Sequence, residues 1–512
     1  MFLVATGYVL WHSIDMFKHI SGRAGSLGDI LTKSRFLNGL QCPLFLWTQA
    51  RLPERIPRPD AATARRFDAG DMVGELAKKV FPDGIDIPRD DFFGNIELAG
   101  KAMKKRLPIF EAGLFAGRVF SRVDILEPSG KTGWNIIEVK SSASVKDLHI
   151  TDVAFQYFSA IEAGLSVNKC YLMHVNTGYV RRGDISPSEF FVREDVTRKA
   201  GIRASGIGKK VGELLKVLDG DRIPEKDIGE WCRSPYHCPM IKECWRFLPD
   251  HSVFDLAGAG KKAYELYRAG ILAITDIPGG YPLKKNQIIQ QKCEREGRPH
   301  ADIKAINDFL SFLEYPLHFM DFETVNPAVP LYEGTSPFEQ IPFQFSVFVV
   351  EKEGARAERR DFLAEGMIDP RPEFLRELKS ALGPRGTVVA YNKSFENAVL
   401  RKLAVMSPED ADWVQDVISR TVDLLSPFKS FQYYHPGQKG KASIKNVLPA
   451  LTGISYDGLE ICEGGAASDA FLAIVDGRLS EKDKARTRAG LITYCGQDAE
   501  GMVRILEKLK KI

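Results

Sequence analysis

Four carboxylates and a tyrosine in the last two hundred residues of this 512-residue chain have the types and spacing for metal-assisted hydrolysis. The stretch "PLHFMDFETVN" runs from an apolar segment straight into Asp321 and Glu323. On a β-strand these two residues project to the same face. Two carboxylates that close repel each other, and burying them unpaired is costly. A cation must sit between them, either a basic side chain from elsewhere or a metal ion. In "VVAYNKSFENAVL" a short apolar strand runs into a helix, bringing Asn392, Phe395 and Glu396 to the junction. In "TYCGQDAEGM" Tyr494 and Asp498 stand four residues apart, so they share one helix face.

A second set lies in the first half. Asp124 in "FSRVDIL" precedes the Glu138-x-Lys140 pair of "IIEVKSS" by fourteen residues, with the turn-like "PSGKTG" between the two β-rich runs. That places all three on adjacent strands, with Glu138 and Lys140 on one face. Gln156 follows on the next helix. Of eight cysteines, Cys42 stands alone early, whereas Cys232, Cys238 and Cys244 close this half in "CRSPYHCPMIKEC"; Cys170, Cys293, Cys462 and Cys495 show no such clustering. Between the two later acidic motifs, "FKSFQYYHPGQKGKASIKN" mixes Phe428, Phe431, Tyr433 and Tyr434 with Lys429, Lys439, Lys441 and Lys445. Aromatic faces stack bases and ammonium groups meet phosphates, so single-strand contact is one reading and a solvated loop over core aromatics the other.

The elements that must position these residues follow from pattern and size. The chain is too long for one ordinary core. Its 44% hydrophobic and 27% charged residues are those of a globular protein. Seventy basic against 67 acidic residues exclude a histone-like coat, so nucleic-acid contact would have to come from local patches. Periodicity predicts α/β, then a helical connector, then α/β again. "LTKSRFLNGLQCPLFLW" reads as one helix with Cys42 near its end, and "FDAGDMVGELAKKVFP" as an amphipathic helix. The expected domains are 26–248, 249–307 and 308–512, after an extension over 1–25 that lacks the features of a signal peptide or a membrane span. The connector loosely resembles a helix-hairpin-helix, but a spacer fits better. A cytoplasmic protein with reduced or metal-bound cysteines is expected.

From about residue 315 to 512 the motifs, in order, resemble the DnaQ-like (DEDD) 3′→5′ exonucleases of the tyrosine variant, an RNase H-like fold. The resemblance implies that Asp321, Glu323, Glu396 and Asp498 hold two Mg²⁺ or Mn²⁺ ions, that Asp321 bridges them, and that Tyr494 orients the attacking water. Glu396 departs from the aspartate usual at its position. Residues 26–248 resemble the RecB-like PD-(D/E)xK nucleases, a restriction-endonuclease-like fold found in CRISPR-associated exonucleases. Asp124 and Glu138 would then hold a metal, Lys140 would position the water, and Gln156 would lie near the substrate. The tyrosine usual four residues later is Ala160. The histidine usual in a G-x-x-V-H helix is Gly74, with Glu75 the nearest substitute. One early and three late cysteines resemble the [4Fe–4S] ligands of several members; the looser spacing keeps zinc as the runner-up.

The whole chain beyond its first 25 residues resembles a bacterial fusion of these two domains. That implies a two-site, metal-dependent nuclease acting on DNA, most naturally at single-stranded ends, with RNA as the other candidate and no membrane partner. The alternative is a nucleic-acid-binding scaffold whose sites have lost turnover.

Overall fold

The computed structural model describes residues 27–512, and the expectation for residues 1–25 lies outside the described residues. Two compact units divide the chain. One ends at Trp245 and also takes Pro327–Phe338; the other comprises Arg246–Asn326 and Glu339–Ile512, so residues 249–307 belong to it. Both are α/β with mixed sheets. No helix among the described residues is long and apolar enough to cross a membrane.

In the first unit the strands Ile109–Ala116, Val119–Ser129 and Gly133–Lys140 form an antiparallel meander. Its turns contain Gly117 and Gly130, both at positive φ, a conformation that other residues adopt at a cost. The helix Asp147–Glu162 then crosses over to Val167–Val175, which pairs parallel to Gly133–Lys140. Such a crossover is what a parallel pair requires. The register matches Ile125 to Ile137, which sets Asp124 beside Glu138 on neighbouring strands. Ile136, Val153, Ala160 and Leu172 are part of the main core. Ala160, where a tyrosine was the expected type, is fully buried there.

The segment read as one helix around Cys42 is two, Lys33–Gln41 and Pro43–Arg51, with Cys42 extended between them. Proline explains the break: it disfavours helical backbone in the preceding residue, and its own missing N–H is harmless at a helix start. Just upstream, Leu31–Thr32 pairs parallel with Val119–Phe120, and the Thr32 side chain caps the helix that begins at Lys33.

The sheet of the second unit has the order Glu358–Leu363, Ile341–Val350, Leu317–Val325, Thr387–Ala390, Thr421–Asp423. Leu317–Val325 is therefore central, antiparallel to one neighbour and parallel to the other. Asp321 lies opposite Ser346 and Glu323 opposite Gln344. The helix Glu481–Leu509 covers this sheet and is fixed in part by Gln344, whose side-chain amide donates to the Leu491 carbonyl at 2.8 Å. Two strands lacked a readable pattern. Glu358–Leu363 is an edge strand with the charged sequence "ERRDFL", and Thr421–Asp423 has three residues.

Candidate active sites

Strand alternation brings Asp321 and Glu323 to one face of the central strand, and the covering helix adds Asp498 from its buried side. Carboxylate oxygens of these three residues lie within 4.8 Å of one another. No ion pair to them is present among the described residues. Burial, then the charges of Asp498, Glu323 and Glu396, pushes the Asp321 carboxyl well above the usual range. Burial and Asp498 push Glu323 up to about 8, against the opposing charge of Lys445. Asp498 is also raised by burial, although hydrogen bonds from Tyr456 and Tyr494 favour its ionised form.

Glu396 stands in the first turn of the helix Ser394–Met406. Asn392 supplies the sharp entry to that helix at φ 73°, a conformation asparagine tolerates. The Asn392 N–H donates to Asp423 at 2.9 Å. Glu396 is 2% exposed and its Oε2 has no hydrogen-bond partner. Burial, then Asp423 and Glu323, pushes its carboxyl to about 8. It lies outside the group of three that converges, yet its charge acts on Asp321. Tyr494 is 3% exposed, and burial followed by the charge of Asp498 holds its phenol protonated.

A family match covers this region. Residues 318–443 match a family described as a domain of unknown function (DUF2779). The matched stretch contains Asp321, Glu323 and Glu396 and stops before Tyr494 and Asp498. Two curated relatives carry printed names without an activity. The uncharacterised protein MG366 homolog of Mycoplasma pneumoniae is 28% identical over 207 residues, 36% of this chain and 31% of the relative. The uncharacterised protein MG366 of Mycoplasma genitalium is 25% identical over 212 residues, 37% of this chain and 31% of the relative. The match thus spans about a third of the length of each curated relative.

In the first unit Asp124, Glu138 and Lys140 line one pocket of about 290 Å³, together with Gly70 and Gly74. A Cβ at either glycine would meet nothing within 4 Å. Glu75 does not itself line that pocket: its carboxylate is 62% exposed and pairs at 2.7 Å with Lys78, which does. The acids here are already partnered. Glu138 receives Lys140 at 2.5 Å, Lys33 at 2.8 Å and the Gln156 amide at 2.5 Å. Asp152 receives Lys140 at 2.5 Å and Lys33 at 3.4 Å. Asp124 accepts the Val139 N–H at 2.8 Å. Burial and the neighbouring Glu138 push Asp124 to about 8. Burial would also raise Glu138, but Lys140 and Lys33 hold it well below the usual carboxylate range.

Cys42, Cys232, Cys238 and Cys244 line a single cavity with Leu44, Ile228 and Ile241. All are free thiols, and burial raises Cys42, Cys244 and, to about 11, Cys238. No three of these sulfurs lie within 4.8 Å of one another. A tetrahedral zinc site, with Zn–S bonds of about 2.3 Å, draws its sulfurs closer than that.

Of the two readings of the aromatic–basic stretch, the core aromatics are the one observed. Phe428, Phe431, Tyr433 and Tyr434 are all buried and cannot stack on bases. Tyr434 stacks on Phe431 and donates to Glu294 at 3.0 Å, so these rings serve the core. Of the four lysines, Lys445 comes nearest the acids, 4.9 Å above the Tyr494 ring. Lys33, Asp152, Asp423 and Tyr456 were not singled out from the sequence. None of the four carried a local signal, and Asp423 ends a strand too short to show a pattern.

Proposed function

We propose that the protein is a metal-dependent nuclease of DNA, with RNA as the other candidate substrate, and that the second unit is its 3′→5′ exonuclease. The observation that carries this reading is the convergence of half-buried Asp321 with buried Glu323 and Asp498, with no ion pair to them among the described residues. Four clustered acids raised by burial and mutual repulsion are the donor set that hard divalent ions favour. Asp321, Glu323, Asp498 and Glu396 would hold Mg²⁺ or Mn²⁺, which supply Lewis acidity toward the phosphodiester and a nucleophile at neutral pH. Tyr494, held protonated beside Asp498, would orient the attacking water rather than act as a base. The order of the motifs supports a DnaQ-like assignment.

The first unit fits a RecB-like PD-(D/E)xK site. Asp124 and Glu138 would hold a single metal, Lys140 sits where its charge offsets that of the phosphate, and Gln156 fixes Glu138 through its second oxygen. The four thiols around one cavity suit a [4Fe–4S] cluster better than zinc, because their sulfurs surround a space instead of meeting at a point.

Degradation of 5′- and 3′-end-labelled single and double strands with Mn²⁺ tests the reading, with Asp321→Asn and Asp124→Asn assayed separately. Shortening from the 3′ end that Asp321→Asn removes supports it. Retained binding to the strands with no cleavage by any variant or the wild type would make the protein a scaffold.

A further inference from the structure

Lys33 stands apart in the first unit because no motif accounts for it. Its ammonium reaches the same two carboxylates as Lys140, Glu138 at 2.8 Å and Asp152 at 3.4 Å. Its place is fixed from both ends. Upstream, Leu31–Thr32 is paired into the sheet and Thr32 caps the helix. Downstream, Gln41 at the other end of that helix donates to the carbonyls of Trp231 and Tyr236 at 2.7 and 2.6 Å. The side chain is 21% exposed, so the amine lies inside the site.

Charge separates the two sites. In the second unit Asp321, Glu323, Glu396 and Asp498 form no ion pair among the described residues, although the charge of Lys445 acts on Glu323 and Asp498, which leaves room for two divalent ions. In the first unit Asp124, Glu138 and Asp152 face Lys33 and Lys140, leaving one net negative charge when all are ionised. A second divalent ion would load this buried space with excess positive charge, which low local dielectric makes prohibitive. We infer that Lys33 is a built-in cation that takes the place of a second metal, so that the first unit holds one divalent ion, and holds it weakly. This inference rests on the reading of that unit as a metal-dependent nuclease.

Manganese titration followed by electron paramagnetic resonance tests it in the full chain, with the second site silenced by Asp321→Asn and Asp498→Asn. That parent should bind one Mn²⁺, and Asp124→Asn should abolish the binding. Lys33→Gln and Lys33→Met should each tighten it by at least about tenfold, because a unit charge a few ångströms away is removed. Lys33→Arg, which keeps the charge, should return the parent's affinity. Circular dichroism confirms that each variant is folded, and two neutral replacements guard against the failure of one. Superimposable titrations for parent, Lys33→Gln and Lys33→Met, or two ions in the parent, overturn the inference while the nuclease reading stands. No Mn²⁺ in the parent, with no effect of Asp124→Asn, overturns both.

Discussion

Asp321 is the carboxylate on which the other acids of the second unit press hardest, since Asp498, Glu323 and Glu396 all raise it. It also belongs to the converging triad, whereas Glu396 approaches from outside it. Asp321→Asn should therefore lower exonuclease rates most, by about a thousandfold or more, followed by Glu396→Gln and then Tyr494→Phe at about tenfold. Single-turnover kinetics on 3′-labelled strands would check this order, and a larger loss in Tyr494→Phe than in Asp321→Asn would refute it. Lys140 poses a different test because Lys33 also contacts Glu138 and Asp152. Lys140→Ala leaves both acids with one cation, so the fold should survive with a modest loss of stability. Cutting that depends on Asp124 should nevertheless disappear. Persistence of that cutting would reduce the Glu138–Lys140 contact to a structural ion pair.

The nine-residue helix Lys33–Gln41 joins the two chemical features of the first unit. It begins with the lysine of the acid site, and Cys42 of the thiol cavity follows its last residue. The loop between Cys232 and Cys238 also carries Tyr236, whose phenol is raised by burial and feels the charges of Lys140 and Asp152. Protein purified without oxygen should be brown, with broad absorbance near roughly 400 nm from thiolate-to-iron charge transfer. A colourless preparation with one equivalent of zinc would decide for the runner-up. Cys238→Ser should bleach the colour and lower the solubility of the protein, because the thiols tie the start of the unit to its end.

Across the whole molecule, pH and metal should be linked. Glu323, Glu396 and Asp124 have folded values pushed to about 8, above those of unfolded carboxylates. The native state then binds more protons than the unfolded chain between about pH 4 and 8, so its stability falls as pH rises through that window. Glu138 is shifted the other way, and its contribution is lost only on acidification below the ordinary carboxylate range. Metal-free protein should melt at a higher temperature near pH 5.5 than near pH 8.5, and Mn²⁺ should raise the melting temperature most at the higher pH. Asp321→Asn should flatten this profile and be at least as stable as the wild type without metal. A flat wild-type profile that Mn²⁺ leaves unchanged would contradict the electrostatic account.

Residues that strand and helix geometry bring together locally are legible from their spacing alone. Asp321 and Glu323 share a face because β side chains alternate, and Tyr494 and Asp498 share one because four residues make about one helical turn. The mixed α/β architecture was legible for the same reason, since apolar periodicity differs between strands and helices. Periodicity was silent on Thr421–Asp423, too short to show a pattern, and on Glu358–Leu363, whose charges suit an edge. It also left Phe428, Phe431, Tyr433 and Tyr434 open between base contact and core, because an aromatic residue looks alike whether it faces a base or a core. Which acids have partners follows from packing and not from spacing. Lys33 lies 105 residues before Glu138 and beside no motif, yet it pairs with that carboxylate at 2.8 Å. Asp321, Glu323, Glu396 and Asp498 form no such ion pair among the described residues, although Lys445 acts on Glu323 and Asp498 through its charge. Whether a buried carboxylate faces a cation depends on which distant side chains packing delivers to it, and local sequence does not encode that distance.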